Sequence, residues 1–139
     1  MYTSKIFVTV DNVVIRKIDG NKEILLIKRL KEPFQDFWAL PGGFVDENED
    51  LETAAKRELL EETSIMIFKV NQIGAYGTPG RDPRSHVVSV AYYSEIDPLA
   101  EAVAADDAKE VKWFNLNLLP PLAFDHSEII RDAIEKFNL

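Results

Sequence analysis

The chain reads as an α/β protein whose mixed β-sheet is covered on both sides. Two observations predict this. Strand-like segments come first, then an amphipathic helical stretch, then further strands and a last helix; that order suits a sheet with helices packed on it. The 139 residues, 46% of them hydrophobic, make one domain, residues 1–139, large enough for its own core.

The elements follow in order. Residues 5–18 (KIFVTVDNVVIRKI) are β-branched and partly alternating, which predicts a strand. Asp19-Gly20-Asn21 is a turn signal. EILLIKR (23–29) is a second strand, expected to be buried on both faces. Lys31 to Asp36 form a loop around Pro33. Trp38-Ala39-Leu40 leads into Pro41-Gly42-Gly43, expected as a tight turn where backbone approaches a ligand closely. The apolar pair Phe44-Val45 follows. A helix is expected from near Asp50 to about Thr63, capped by Asn48 or Asp50. Its apolar stripe is Leu51, Ala54, Ala55, Leu59 and Leu60, turned away from its glutamates. Residues 65–76 and 86–96 are expected as strands, joined by the Pro- and Gly-rich loop GTPGRDPRS. Pro98 to Ala108 is expected to be a loop with some helical turn. Glu110 to Phe114 is a short strand, Pro120-Pro121 breaks the chain, and a helix capped by Asp125 or Ser127 runs over Asp125–Phe137.

Composition narrows the function classes. The net charge of −8 argues against non-specific affinity for nucleic acid or anionic membrane. A phosphorylated substrate stays compatible, because a bound metal inverts the local charge. No cysteine occurs, so disulfides and thiolate zinc sites are excluded. The start MYTSKIFVTVD lacks the basic and apolar regions of a signal peptide. No apolar run approaches the roughly 18 residues that span a bilayer. A cytoplasmic protein is expected.

The stretch Gly43 to Ile65, GFVDENEDLETAAKRELLEETSI, carries the chemistry. On a helix, Glu58, Glu61 and Glu62 fall at i, i+3 and i+4 and share a face. Like charges so placed repel, and they call for a compensating cation. Hard oxygen donors suit Mg²⁺ or Mn²⁺ better than Zn²⁺. Arg57 sits among the acids, where it can pair with them and orient them.

This stretch resembles the Nudix box, G-x5-E-x7-R-E-U-x-E-E-x-G-U with U aliphatic. The matching residues are Gly43, Glu49, Arg57, Glu58, Leu59, Glu61, Glu62 and Ile65. Ser64 stands where the pattern has glycine, which puts the helix-end geometry in question. The resemblance implies an α/β/α sandwich covering essentially the whole chain, and metal-dependent hydrolysis of a phosphoanhydride. It implies Glu58, Glu61 and Glu62 as ligands of Mg²⁺ (or Mn²⁺), with the Gly42 carbonyl as an extra ligand. Glu49 and Arg57 become the ion pair holding the glycine loop to the helix. The general base stays open. Asp106, Asp107 and Glu110 are the candidates outside the box, with Asp107 preferred, and Glu61 is the candidate within it.

Gly80-Arg81-Asp82-Pro83-Arg84 is the second informative segment. Its two arginines either clamp phosphate or ribose hydroxyls, or form a salt-bridged hairpin. The segment resembles an Arg-Asp-Pro-Arg element of ADP-ribose pyrophosphatases, as do Lys28-Arg29, the approach from Pro33-Phe34 to Trp38, and Ala123 to His126. Phe34 and Trp38 either stack on a base or pack in the core. Trp113 is expected in the core. His126 is expected in a structural hydrogen bond, and His86 facing solvent or a partner. The implied reaction splits ADP-ribose into AMP and ribose 5-phosphate. Alternatives are an (oxidised) nucleoside triphosphate as substrate, or a non-catalytic ligand sensor. Sensors of this kind fuse to a winged helix, and none is expected after HSEIIRDAIEKFNL. Family resemblance also implies a homodimer.

Overall fold

The computed structural model describes residues 3–105 and 108–139. Its elements are β1 (Phe7–Ile18), β2 (Asn21–Arg29), β3 (Trp38–Ala39), β4 (Gly42–Phe44), α1 (Leu51–Thr63), β5 (Asn71–Tyr76), β6 (Val87–Glu95), β7 (Ala108–Asn115) and α2 (His126–Phe137). The sheet runs β3-β2-β1-β6-β5, with β4 also on β1 and β7 also on β2. Only the β1–β6 ladder is parallel among the strand pairs; the sheet is mixed, as expected.

Strand β1 organises both faces through its period of two. Val10 packs with Ala54 and Ala55 of α1, and Val14 with Leu59. Val13 and Ile15 face the other way, into the cluster with Ile129, Ile130 and Ala133 of α2. The same alternation sends Asn12 toward α1 and Asp11 toward α2. Asp19 and Gly20, with φ of 50° and 80°, form the two-residue loop between the paired Ile18 and Asn21. Positive φ at both loop positions suits the twist of the hairpin.

Several expectations are corrected. Residues 65–70 form no strand; β5 begins at Asn71. Ile65 and Ile67 are buried beneath Leu59, so their alternation reports packing without a ladder. Pro41-Gly42-Gly43 is not a tight turn, since Gly42 and Gly43 pair in extended conformation with Asp11 and Val10. The glycines are needed for close approach. A Cβ on Gly42 would lie 2.0 Å from the Val10 carbonyl oxygen, and one on Gly43 would lie 2.6 Å from the Glu58 carboxylate. Leu60 leaves the apolar stripe and is exposed, whereas Glu62 is buried. The described part of 98–108 is a loop with one hydrogen-bonded turn at Pro98-Leu99, where the Ala100 N–H donates to the Asp97 carbonyl at 3.0 Å, and no helix.

Ser64 keeps the helix end that glycine would make. It takes the left-handed conformation, φ 64° and ψ 13°, and its N–H donates to the Leu60 carbonyl at 2.9 Å. A non-glycine residue pays about 1 kcal/mol or more for that conformation. Ser64→Gly is therefore expected to stabilise the fold by up to about 1 kcal/mol, read as a thermal midpoint a few degrees higher. No helix among the described residues is long and apolar enough to cross a membrane.

Candidate functional site

Helix α1 starts on Asp50, whose carboxylate accepts from the Glu52 and Thr53 N–H groups at 3.1 and 3.4 Å. At the middle of the helix, Arg57 gathers the acids. Its Nε and Nη2 donate to the two oxygens of Glu49 at 2.6 and 2.8 Å. Its Nη1 reaches Glu58 at 3.0 Å and Glu61 at 3.2 Å. Nη2 also donates to the Phe44 carbonyl at 3.1 Å, tying β4 to the helix. The Arg57 hydrogen bonds, with one from the Asp46 N–H, pull the Glu49 carboxyl down to about 2. Burial pushes Glu58 up, and Arg57 opposes that shift. Glu62 accepts from the Gly42 N–H at 2.7 Å. Glu61 is the exposed member of the set, at 45%.

Glu58, Glu61 and Glu62 line a cavity of about 510 Å³. Asp46 and Gly42 line it too, as do the cations Arg29, Lys31, Arg81 and Arg84 and the residues Asp11, Phe124 and His126. Among the described residues no three acid or imidazole groups already converge enough to cage a metal ion. Arg57 holds Glu58 and Glu61, while Glu62 is turned to Gly42. The donor chemistry nevertheless fits Mg²⁺ or Mn²⁺: carboxylates and a backbone carbonyl, with no thiolate. Glu61, being exposed, can turn toward the others.

Arg81 is committed within the chain. Its Nε and Nη2 donate to Asp125 at 2.8 and 2.6 Å, and its side chain is only 5% exposed. Asp125 consequently makes no side-chain cap for α2, although it occupies the cap position. Arg84 donates through Nε and Nη2 to Asp82 at 3.0 and 2.7 Å. It is more exposed, at 40%, and lies over the rings of Phe44 and Phe124. Phe34 packs on Phe37 and Phe124, and with Pro33, Pro83 and Arg84 it lines a second cleft. Arg84 and Glu32 border both hollows.

Of the two readings open for Trp38, stacking on a base and packing in the core, the structure shows the second. Trp38 packs against Phe114 in the cluster under α2, with its ring 5.9 Å from Lys28 Nζ, and it does not line the cavity. Glu110 is exposed on β7, 3.9 Å from Lys28, and also stands outside the cavity. Asp106 and Asp107 lie outside the described residues. Trp113 is partly buried under the Arg16 guanidinium. His86 is half-buried and bonded to the Gly77 carbonyl at 2.9 Å rather than facing open solvent.

A family model for the NUDIX domain matches residues 8–135. The chain belongs to the Nudix family. It is 46% identical over 121 residues to the ADP-ribose pyrophosphatase of Methanocaldococcus jannaschii, covering 87% of this chain and 71% of that enzyme. It is 36% identical to the ADPR-responsive transcriptional repressor of Acinetobacter baylyi, over 94% of this chain but only about half (54%) of the repressor's length. The NUDIX domain of Shewanella oneidensis NrtR, solved with ADP ribose, superposes with a TM-score of 0.90 at 34% identity, covering 97% of this chain and 90% of that one.

The Nudix cavity also holds residues that the motif did not mark. Arg29 uses only Nε, donating to the Pro33 carbonyl at 2.8 Å; its other nitrogens make no hydrogen bond among the described residues. Its guanidinium lies 5.0 Å from the Phe124 ring centroid. Burial and the nearby Arg84 push its pKa down. The signal in the sequence was the resemblance of Lys28-Arg29 to ADP-ribose pyrophosphatases, which gave Arg29 no place in the site.

Beneath it, Asp11 accepts from the Ser89 hydroxyl and lies 3.5 Å from His126 Nε2. His126 Nδ1 accepts from the Leu40 N–H at 3.0 Å, as its structural reading expected. Burial pushes His126 below its ordinary value of 6.5, the carboxylates of Asp11 and Asp125 oppose this, and Arg81 and Arg29 reinforce it. A histidine held neutral in the fold but protonated in the unfolded chain makes stability fall as pH drops below about 6.5. His126→Asn keeps an acceptor for Leu40 and is expected to flatten that part of the slope in urea midpoints taken on either side of that pH.

Proposed function

We propose that this Nudix protein is a divalent-metal-dependent pyrophosphohydrolase that splits ADP-ribose into AMP and ribose 5-phosphate. The observation that carries the reading is one cavity lined both by Glu58, Glu61, Glu62 and Gly42 and by Arg29, Arg81 and Arg84. A pyrophosphate needs both kinds of partner, one for a bridging cation and one for its outer oxygens. Glu58, Glu61 and Glu62, with the Gly42 carbonyl, would hold Mg²⁺ or Mn²⁺. The bound ion supplies charge neutralisation and a more acidic water. Arg57 orients Glu58 and Glu61. Arg29 and Arg84 offer N–H donors to phosphate or ribose oxygens, while Arg81 braces the loop through Asp125. Phe34 and the Arg84 stem offer the base a stacking surface. Glu61 and Asp107 are the candidates for the general base. A cytoplasmic homodimer completes the proposal, and light scattering tests the assembly.

Purified protein with ADP-ribose and Mg²⁺ is expected to release AMP and ribose 5-phosphate. No turnover with either Mg²⁺ or Mn²⁺ would sink the proposal. Pyrophosphate release from nucleoside triphosphates in preference would move the substrate instead. A sensor reading draws on the repressor relative; tight ADP-ribose binding without turnover would favour it. The intact box carboxylates favour hydrolysis.

A further inference from the structure

Asn12 sits at the centre of the molecule and touches no part of the cavity. It is 1% exposed, on the face of β1 that packs against α1. Its side-chain amide donates to the Pro41 carbonyl at 3.2 Å and to the Ala55 carbonyl at 3.0 Å. Its Oδ1 has no hydrogen-bond partner among the described residues.

This arrangement is poor for stability and specific in geometry. The Pro41 carbonyl already accepts from the Asn12 backbone N–H at 2.8 Å. Ala55 lies within α1, where the helical ladder serves its carbonyl. Neither acceptor needs the side chain. The amide, in turn, leaves its own buried oxygen unsatisfied, which is destabilising. A leucine, with the same branching and a larger volume, would bury apolar surface between Val10 and Val14 on the same strand face without that defect. What the amide does is fix a spacing. It ties the residue before Gly42 to α1 one turn ahead of Glu58. The Gly42 N–H to Glu62 contact at 2.7 Å closes the same span from the far end of the helix.

We infer that Asn12 is a positioning residue for the metal site, a cross-brace that sets the distance between the Gly42 carbonyl and the carboxylates of α1. The inference rests on the metal-binding reading above. Mg²⁺ and Mn²⁺ demand tight, regular ligand geometry, so a small slip of α1 against β4 weakens them, and supports of this kind are worth about 10–100-fold in affinity or activity.

The test is Asn12→Leu, read by Mn²⁺ titration followed by electron paramagnetic resonance, by thermal midpoint and by steady-state kinetics. The expected result, whatever the shift in midpoint of the folded variant, is Mn²⁺ affinity weaker by about 10–100-fold and a lower kcat with KM for ADP-ribose little changed. Higher Mn²⁺ is expected to restore part of the rate. A merely structural role would lower the midpoint and leave Mn²⁺ affinity intact, and that result overturns the inference. If the leucine variant fails to fold, Asn12→Ala, which cannot overpack, is read against the same two outcomes. If the wild-type protein binds no Mn²⁺, the metal reading itself fails and takes this one with it. Normal wild-type binding with an unaltered variant removes this inference alone.

Discussion

Glu58→Gln is expected to lower kcat for ADP-ribose about a thousandfold while leaving the protein folded. A metal site contributes several kcal/mol of charge stabilisation, and about 4 kcal/mol corresponds to a factor of about a thousand. Glu58 combines the relevant features. It lines the cavity, lies close against Gly43 and is held by Arg57 at 3.0 Å. Glutamine keeps its shape but removes the charge that a divalent ion needs. Stability should change little, because Arg57 retains both oxygens of Glu49. Burial moreover disfavours the Glu58 charge in the unliganded fold. Single-turnover kinetics alongside a thermal melt checks the prediction. A kcat within tenfold of wild type, in a folded variant, would remove Glu58 from the ligand set.

Arg57→Lys carries the second large effect, a loss of about 10–100-fold in activity, of the size seen when groups orienting metal ligands are removed. Charge is conserved in this change, so the loss isolates geometry. The planar fork reaches Glu49, Glu58, Glu61 and the Phe44 carbonyl at once. A lysine ammonium is a single point of charge and cannot span those positions. The Mn²⁺ concentration for half-maximal rate should rise together with the fall in kcat. Glu49→Gln, which leaves the guanidinium in place but weakens its anchor, should fall between wild type and Arg57→Lys. Equal activity of the lysine variant would show that only the charge at position 57 matters.

Local rules carried much of the fold. Strand β1 and the buried run of β2 follow from alternation and β-branching, and α1 begins at Asp50 because its carboxylate meets the free N–H groups of the first turn. The same rules failed where a local signal had two outlets. Ile65 and Ile67 alternate as a strand would, yet no neighbouring strand lies alongside, and they plug the base of α1 instead. Pro41-Gly42-Gly43 has turn composition, but an extended edge against β1 was open to it. Trp38 and Arg81 carry side chains suited to a ligand, yet Phe114 and Asp125 take them.

By itself the sequence determined the α/β class and the acid face of α1, because spacing along one helix is a local property of the chain. The pairing of Arg57 with Glu49, Glu58 and Glu61 was likewise legible, all four residues lying within one stretch of about four helical turns or less. Only the tertiary structure decided what shares a cavity with those acids. Asp11, Arg29 and His126 come from β1, β2 and the start of α2 respectively, separate elements that the sheet brings to one cavity. Which arginines remain available depends on contacts across the sheet: Arg81 commits Nε and Nη2 to Asp125, whereas among the described residues Arg29 bonds only through Nε. The brace from Asn12 to Pro41 and Ala55 belongs to the same class, since hydrogen bonds between distant segments leave no periodic trace in the order of residues.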